Sequence, residues 1–267
     1  MFRRLSRWSI ALPVAFALAG LAGCGSGAPA TSASSAPASS AGRGAGEVTV
    51  FAAASLTGTF TELGKSFESA HPGTTVRFNF GSSATLAQQI VQGAPADVFA
   101  AASPATMKTV TDASLAGAPA TFVRNKLQIA VPAANPAKVD ELKDLADPAV
   151  KVALCAEQVP CGAAAVKALG AAGLKVTPVT LEQDVKATLT KVQLGEVDAA
   201  LVYRTDVIAS GGKVTGIDFP EAAQAINDYP IAALTKAPAG DLAKQFVDLV
   251  LSQQGKDVLA KAGFEAA

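Results

Sequence analysis

The sequence predicts an α/β protein with two lobes, in which mostly parallel sheets are flanked by helices. From residue 47 to residue 267 the chain repeats a short apolar strand, a turn rich in Gly, Ser or Pro, and an amphipathic helix. This alternation is typical of βαβ units. The body is about 220 residues long, which is enough for two lobes of ordinary size.

The elements follow one another in a regular order along this body. Apolar runs at 48–54 and 76–80 predict the first two strands, and each leads through a serine-containing turn into a helical pattern. Helices are predicted at 57–70, 85–92, 103–113, 163–171, 185–195 and 241–252, where apolar residues recur at helical spacing. Glycines that favour C-terminal caps follow four of them, at Gly73, Gly93, Gly173 and Gly195.

The division into lobes comes from two crossings of the chain. A new strand at Leu127–Pro132 begins the second lobe, and the chain returns to the first lobe near Asn227. We expect lobe 1 to comprise 47–125 and 227–267, and lobe 2 to comprise 126–226. Open α/β sheets bind ligands beyond the carboxyl ends of their strands, so the ligand is expected in the cleft between the lobes.

The N-terminus carries an export signal. Arginines precede an apolar run at 8–21, which ends in Leu-Ala-Gly-Cys at Cys24. This resembles a bacterial lipoprotein signal peptide at 1–24, with Cys24 as the lipidated residue; a plain secretory signal or a core helix is the alternative. The run is shorter than the ~20 apolar residues of a comfortable membrane span. We expect a lipid anchor in the cell membrane, on its extracytoplasmic face.

Composition narrows the possible partners. Residues 25–46 are almost entirely Ala, Ser, Gly, Pro and Thr, which predicts a disordered tether. The whole chain has 22 Lys and Arg against 22 Asp and Glu, so no general field points to a nucleic acid. Selectivity must therefore come from a local site.

Two cysteines remain in the body, Cys155 and Cys161. In an exported protein a disulfide is the favoured interpretation, and a metal site is the alternative. A zinc site needs four ligands, or three and a water, and His71 is the only histidine in the chain. No metal site is expected.

Two serines, Ser55 and Ser83, each lie where a strand passes into a helix. Free backbone N–H groups and the positive end of the helix dipole converge at such a point, and a serine adds a hydroxyl donor. Neither turn contains Lys or Arg. The pattern predicts a site that binds a small oxyanion through neutral donors.

Further motifs extend this pattern along the chain, and with them the sequence resembles a known family. It resembles the molybdate-binding components of bacterial molybdate ABC transporters, which are type II periplasmic binding proteins. The resemblance rests on the following runs: Phe51-Ala52-Ala53-Ala54-Ser55-Leu56, Ser82-Ser83-Ala84-Thr85-Leu86-Ala87, Gly93-Ala94-Pro95-Ala96-Asp97-Val98-Phe99, Val159-Pro160-Cys161-Gly162, Glu182-Gln183-Asp184-Val185, Val202-Tyr203, Tyr229-Pro230 and Gly263-Phe264.

The resemblance implies the ligand and the residues that hold it. It places the oxyanion-binding groups at the hydroxyls of Ser55, Ser83 and Tyr203 and at the backbone amides of Cys161 and Val185. It implies molybdate or tungstate as the ligand, delivery to an ABC permease, no cofactor, and a monomer. This chain departs from the usual family pattern at Cys161, where alanine is common, and at Gln183, but a backbone donor tolerates both changes.

The chemistry of such a shell agrees with a tetrahedral dianion. An all-donor shell satisfies an anion that carries no proton, whereas phosphate keeps a proton near neutral pH and would need an acceptor. Sulfate has the right charge but shorter bonds, so a receptor for another tetrahedral oxyanion such as sulfate is the alternative. A serine hydrolase would need a base next to its nucleophile, and His71 is the only histidine that could act as one. The sequence contains no Gly-x-Ser-x-Gly motif, which is the turn that presents the nucleophilic serine in many hydrolases. The chain is therefore not expected to be an enzyme.

Overall fold

The computed structural model describes residues 46–267. The predicted signal peptide, the lipidation site Cys24 and the tether, apart from Gly46, lie outside the described residues. Within 46–267, no helix has the length and apolar character that a bilayer crossing requires.

The described body alternates strands and helices, as the sequence predicts. The strands are β1 Glu47–Ala53, β2 Thr75–Gly81, β3 Val98–Ala100, β4 Ala120–Asn125, β5 Leu127–Pro132, β6 Val152–Cys155, β7 Thr180–Glu182, β8 Ala199–Tyr203, β9 Val214–Ile217, β10 Asn227–Ala233 and β11 Glu265–Ala266. The helices are α1 Thr57–Ala70, α2 Ser83–Val91, α3 Pro104–Asp112, α4 Pro160–Ala171, α5 Val185–Gln193, α6 Arg204–Ala209, α7 Gly240–Leu251 and α8 Gln253–Lys261. Short 3₁₀ helices cover Ala54–Leu56, Leu142–Ala146 and Pro220–Gln224.

The strands form two sheets. The first has the order β11-β4-β10-β3-β1-β2 and the second the order β7-β6-β8-β5-β9. The chain passes from the first sheet to the second between Asn125 and Leu127, and β10 returns it to the first sheet. At the crossing, Asn125 on β4 and Asn227 on β10 stand directly opposite each other in an antiparallel pair.

The α/β fold class is confirmed, but the prediction of mostly parallel sheets needs a correction. In the first sheet β1 pairs in parallel with β2 and β3, whereas β10 runs antiparallel to both β3 and β4. In the second sheet β6 pairs in parallel with β7 and β8, whereas β5 runs antiparallel to β8 and β9. Each of these antiparallel pairs involves β5 or β10, the strands that directly follow the two crossings.

Each sheet has an apolar core of its own. In the core of the first sheet, Phe246 packs edge to face against both Phe60 and Phe67, with centroid distances of 5.9 Å and 5.5 Å. The second core is built mainly from Val, Leu and Ala of β5, β6 and β8 with α4 and α5. Such packed layers hold the carboxyl ends of β1, β6 and β8 in fixed positions.

Asp97 fastens the first sheet close to the site. Its buried carboxylate accepts hydrogen bonds from Thr49 N at 2.7 Å and from Ala239 N at 2.7 Å. It therefore connects β1 to the segment that starts α7, and it is absent from the lining of the cavity described below.

Candidate functional site

One small cavity collects all the residues that the sequence marks for oxyanion binding. Its lining includes Ser55, Ser83, Cys161, Val185 and Tyr203, which come from segments of both sheets. The cavity volume is about 20 Å³, whereas pockets for drug-sized ligands measure roughly 300–1,000 Å³. The space suits a compact ligand of a few atoms.

Ser55 lies in the 3₁₀ helix Ala54–Leu56, directly after strand β1. It is buried, and its Oγ lies 2.9 Å from the Oη of Tyr229 on β10. The hydroxyl group is therefore held by another strand of the same sheet while it lines the cavity.

Ser83 is the first residue of α2 and is also buried. Its Oγ accepts the backbone N–H of Ala102 at 3.0 Å. Because that oxygen is used as an acceptor, the hydrogen of the Ser83 hydroxyl remains available for donation to a ligand.

Ser82 also lines the cavity, although it was not predicted as a ligand. It occupies the N-cap position of α2, yet its side chain makes no cap hydrogen bond. Its buried Oγ has no hydrogen-bond partner among the described residues. The only feature of the sequence that could have indicated Ser82 as a ligand is its position next to Ser83. Adjacency alone does not show which of the two hydroxyls reaches the cavity.

Cys161 stands in the first turn of α4, after Pro160 at the first helical position. A disulfide joins Cys161 to Cys155 at the end of β6, with the two Cα atoms 5.7 Å apart, which confirms the predicted pairing. The next residue must be glycine, because a Cβ on Gly162 would lie 1.9 Å from the carbonyl oxygen of Ala156. The first turn of α4 is thus pressed against the chain that leaves β6.

Val185 begins α5, and the residue before it controls which amides are free. Asp184 caps this helix: its Oδ1 accepts Lys186 N at 2.8 Å and Ala187 N at 3.0 Å. The N–H of Val185 is left without an acceptor among the described residues. The side chain of Val185 packs in the core of the second sheet, as expected.

Tyr203 ends strand β8 and is almost fully buried, with 1% of its surface exposed. Its Oη has no hydrogen-bond partner of good geometry among the described residues. Burial raises the pKa of the Tyr203 phenol well above its usual value, and the nearby Tyr229 and Asp206 raise it further. The phenol therefore keeps its hydrogen and can donate it to a ligand.

Asp206 is a buried carboxylate close to Tyr203. Its Oδ2 accepts Tyr203 N at 3.3 Å, and its Oδ1 lies 2.9 Å from the Nζ of Lys186. Burial raises the pKa of Asp206, while the lysine opposes that rise. The ammonium of Lys186 is therefore engaged by a carboxylate rather than presented to the cavity.

The resulting cavity is lined by neutral groups apart from Asp184, whose carboxylate is occupied by the cap of α5. Neither Lys nor Arg lines it in the described part of the chain. No group of three His, Cys, Asp or Glu residues within 46–267 is arranged to hold a metal ion. Hydroxyl and amide donors from several helix starts can surround a small anion here.

Comparisons with known proteins place this architecture in a family. The family model described as "Bacterial extracellular solute-binding protein" matches residues 48–265. The Mycobacterium tuberculosis "Molybdate-binding protein ModA" is 42% identical over 262 residues, which cover 97% of this chain and 98% of that protein.

Two further relatives agree with this assignment. The Bacillus subtilis "Putative ABC transporter substrate-binding lipoprotein YvgL" is 34% identical over 82% of this chain and 86% of that protein. The solved structure of the Azotobacter vinelandii periplasmic molybdate-binding protein has the same fold, with a TM-score of 0.72, 22% identity, and coverage of 82% of this chain and 99% of that chain. The predicted resemblance to molybdate-binding proteins is thereby confirmed, and the chain belongs to the family of bacterial extracellular solute-binding proteins, which are binding proteins rather than enzymes.

Proposed function

We propose that this protein captures molybdate or tungstate outside the cytoplasm and delivers the anion to an ABC permease. The observation that carries the proposal is the buried, unpartnered Oη of Tyr203, which shares one small cavity with Ser55 and Ser83. A buried hydroxyl without a partner costs free energy, so its retention at this place is explained by a ligand that accepts its hydrogen bond.

The donor set agrees with a tetrahedral dianion. The hydroxyls of Ser55, Ser83 and Tyr203 and the amides of Cys161 and Val185 are the ligands that we propose. Charge-assisted hydrogen bonds contribute roughly 1.5–3 kcal/mol each. Five of them sum to roughly 7.5–15 kcal/mol, a range that includes the ~8 kcal/mol of micromolar affinity.

The size of the cavity favours a compact anion over an extended one. A sugar phosphate or an organic acid would need far more room than the cavity offers. Among tetrahedral dianions, molybdate and tungstate are larger than sulfate and would reach donors on opposite sides of the cavity together. The name of the Mycobacterium tuberculosis relative also supports molybdate.

Closure around the anion follows from the arrangement of the donors. We propose that residues 47–125 and 227–267 form one lobe, that 126–226 form the other, and that the strands near Asn125 and Asn227 are the hinge. Each lobe then supplies part of the donor shell, and a permease can distinguish the closed, loaded receptor from the open one. We further propose a monomer held at the membrane by a lipid on Cys24, in line with the name of the Bacillus subtilis relative.

Calorimetric titration of the body, residues 47–267, tests the ligand. Molybdate, tungstate, sulfate and phosphate are titrated separately into the same preparation. We expect micromolar or tighter affinity for molybdate and tungstate and much weaker binding of the other two. Tight binding of sulfate without a response to molybdate would refute the choice of ligand. Mass spectrometry of the membrane-extracted protein tests the lipid on Cys24.

A further inference from the structure

A chain of hydrogen bonds ends at the hydroxyl of Ser55. Nδ2 of Asn125 lies 3.4 Å from Oη of Tyr229, and Oη of Tyr229 lies 2.9 Å from Oγ of Ser55. All three residues are buried. The chain starts where β4 leaves the first sheet and finishes at the wall of the cavity.

The first group of the chain is a donor. An amide nitrogen can only donate, so Oη of Tyr229 accepts from Asn125. The orientation of this amide is supported by its other contacts: Oδ1 accepts Lys126 N at 3.1 Å, and Nδ2 also donates to the hydroxyl of Thr205 at 2.8 Å. With Asn125 on one side of the phenol oxygen, Oγ of Ser55 is the nearest acceptor for the single hydrogen of Tyr229, at 2.9 Å, and the geometry allows the hydrogen to point there.

When the phenol hydrogen lies on this bond, Ser55 accepts on the side of Tyr229 and has its own hydrogen free for the cavity. Burial raises the pKa of Tyr229, so the phenol keeps the hydrogen that it donates. In a buried chain of this kind each bond polarises the next, which strengthens the terminal donor.

Ser83 is oriented by a parallel arrangement. Nδ2 of Asn227 donates to the carbonyl of Ala102 at 2.6 Å, and the amide of Ala102 donates to Oγ of Ser83. Asn125 and Asn227 are direct partners on β4 and β10. Both ligand serines are therefore tied to one pair of asparagines at the crossing between the sheets.

We propose that Tyr229, directed by Asn125, is a positioning residue that makes Ser55 a hydrogen-bond donor to the cavity and so discriminates against oxyanions that carry a proton. The proposal rests on the oxyanion-binding function proposed above and adds a source of its selectivity. A fully deprotonated anion satisfies a fixed donor, whereas the O–H of hydrogen phosphate needs an acceptor that this arrangement withholds.

The variant Tyr229→Phe tests this role, because it keeps the ring and removes only the hydroxyl. Affinities for molybdate and for inorganic phosphate are measured at the same pH, phosphate by competition. We expect molybdate to bind roughly tenfold more weakly, as for the loss of one buried hydrogen bond. The affinity for phosphate should fall less than that for molybdate, or should rise, because the Ser55 hydroxyl is then free to turn and accept a hydrogen bond from the phosphate O–H.

Two outcomes would overturn the proposal. One is an affinity for molybdate that is the same in Tyr229→Phe as in wild type. This result overturns the proposal even if phosphate displaces molybdate from neither the wild type nor the variant. The other is an equal loss for both anions, which indicates a merely structural role. Thr106→Val removes another buried hydroxyl away from the cavity and should leave both affinities unchanged. Failure of the wild-type protein to bind molybdate would instead refute the proposed function.

Asn125→Asp provides a second, independent measurement. A carboxylate accepts from Tyr229 and reverses the chain, so the Ser55 hydrogen turns away from the cavity. We expect a loss of molybdate affinity that is larger in the presence of Tyr229 than in the Tyr229→Phe background, where only the added charge acts. Equal losses in the two backgrounds would show that the residues are not coupled and would overturn the proposal.

Discussion

The sulfur of Cys155 lies 3.2 Å from the hydroxyl oxygen of Thr188, so the disulfide contacts α5 as well as the start of α4. The amides of Cys161 and Val185 belong to the first turns of these two helices. One covalent bond thus adjoins both of the backbone donors that we propose for the ligand.

Removing the disulfide should therefore weaken both binding and folding. For the double variant Cys155→Ser/Cys161→Ser we expect a several-fold loss of molybdate affinity, because the α4 amide is no longer held in place. The free energy of unfolding should fall by roughly 2–3 kcal/mol, as expected for a short closed loop. Calorimetry and urea unfolding check both values. Unchanged affinity would mean that packing of α4 alone positions the amide.

Tyr203→Phe should change affinity and stability in opposite directions. The variant loses a donor to the ligand, so molybdate should bind roughly 10- to 100-fold more weakly. Without ligand it no longer buries an unpartnered hydroxyl, so we expect unfolding to cost about 1 kcal/mol more. Titration and thermal melting of the ligand-free protein measure the two effects. A ligand-free variant less stable than wild type would contradict this description.

Ser82→Ala and Ser83→Ala form a matched pair. Ser82 has an unpartnered Oγ at the cavity, so its loss should lower affinity for molybdate by up to tenfold without lowering stability. Ser83→Ala also leaves the amide of Ala102 unpaired, so it should lower both affinity and stability. The same titration and melting measurements separate the two. If Ser82→Ala binds like wild type, its hydroxyl does not reach the ligand.

Asp206→Asn should tighten anion binding by a few-fold, because a negative charge near Tyr203 is removed and Lys186 is released. Calorimetric titration with molybdate measures this change.

The pH dependence of stability should change in Asp206→Asn as well. Burial raises the pKa of Asp206, so the native state holds the proton more tightly than the unfolded chain. The contribution of Asp206 to the free energy of unfolding is present in full below the pKa that this residue has in the unfolded chain. It is lost as the pH rises through the pKa of Asp206 in the native state. Melting curves from acid to neutral pH should show this decline in wild type and a smaller one in the variant.

The helices with a strong apolar repeat could be predicted from the sequence, and the others could not. The predicted helix 57–70 agrees with α1 at both ends. Helix α6 was not predicted because it is short and buries the polar Thr205 and Asp206. Helix α8 was not predicted because Ser252 separates it from α7 in an extended conformation and its sequence is mainly polar.

In the candidate site, the proposed donors could be predicted from the sequence, whereas the residues that orient them could not. Each proposed donor lies at a helix start or a strand end, and the resemblance to molybdate-binding proteins predicted the set Ser55, Ser83, Cys161, Val185 and Tyr203, which the structure brings to one cavity. The groups that orient those donors act across the sheets, and sequence spacing gives no sign of them. Asn125 and Tyr229 are 104 positions apart, and Ser55 and Tyr229 are 174 apart. The mixed pairing of the strands escaped prediction for the same reason.

The lack of Lys and Arg in the cavity lining, in the part of the chain that the structure describes, has a physiological consequence. Dissolved salt weakens attraction between separated charges, but it hardly affects short hydrogen bonds made by buried groups such as Ser55, Ser83 and Tyr203. The strength of anion capture should accordingly vary little with ionic strength. A binding protein built in this way would keep its affinity for the anion in media of very different salt content.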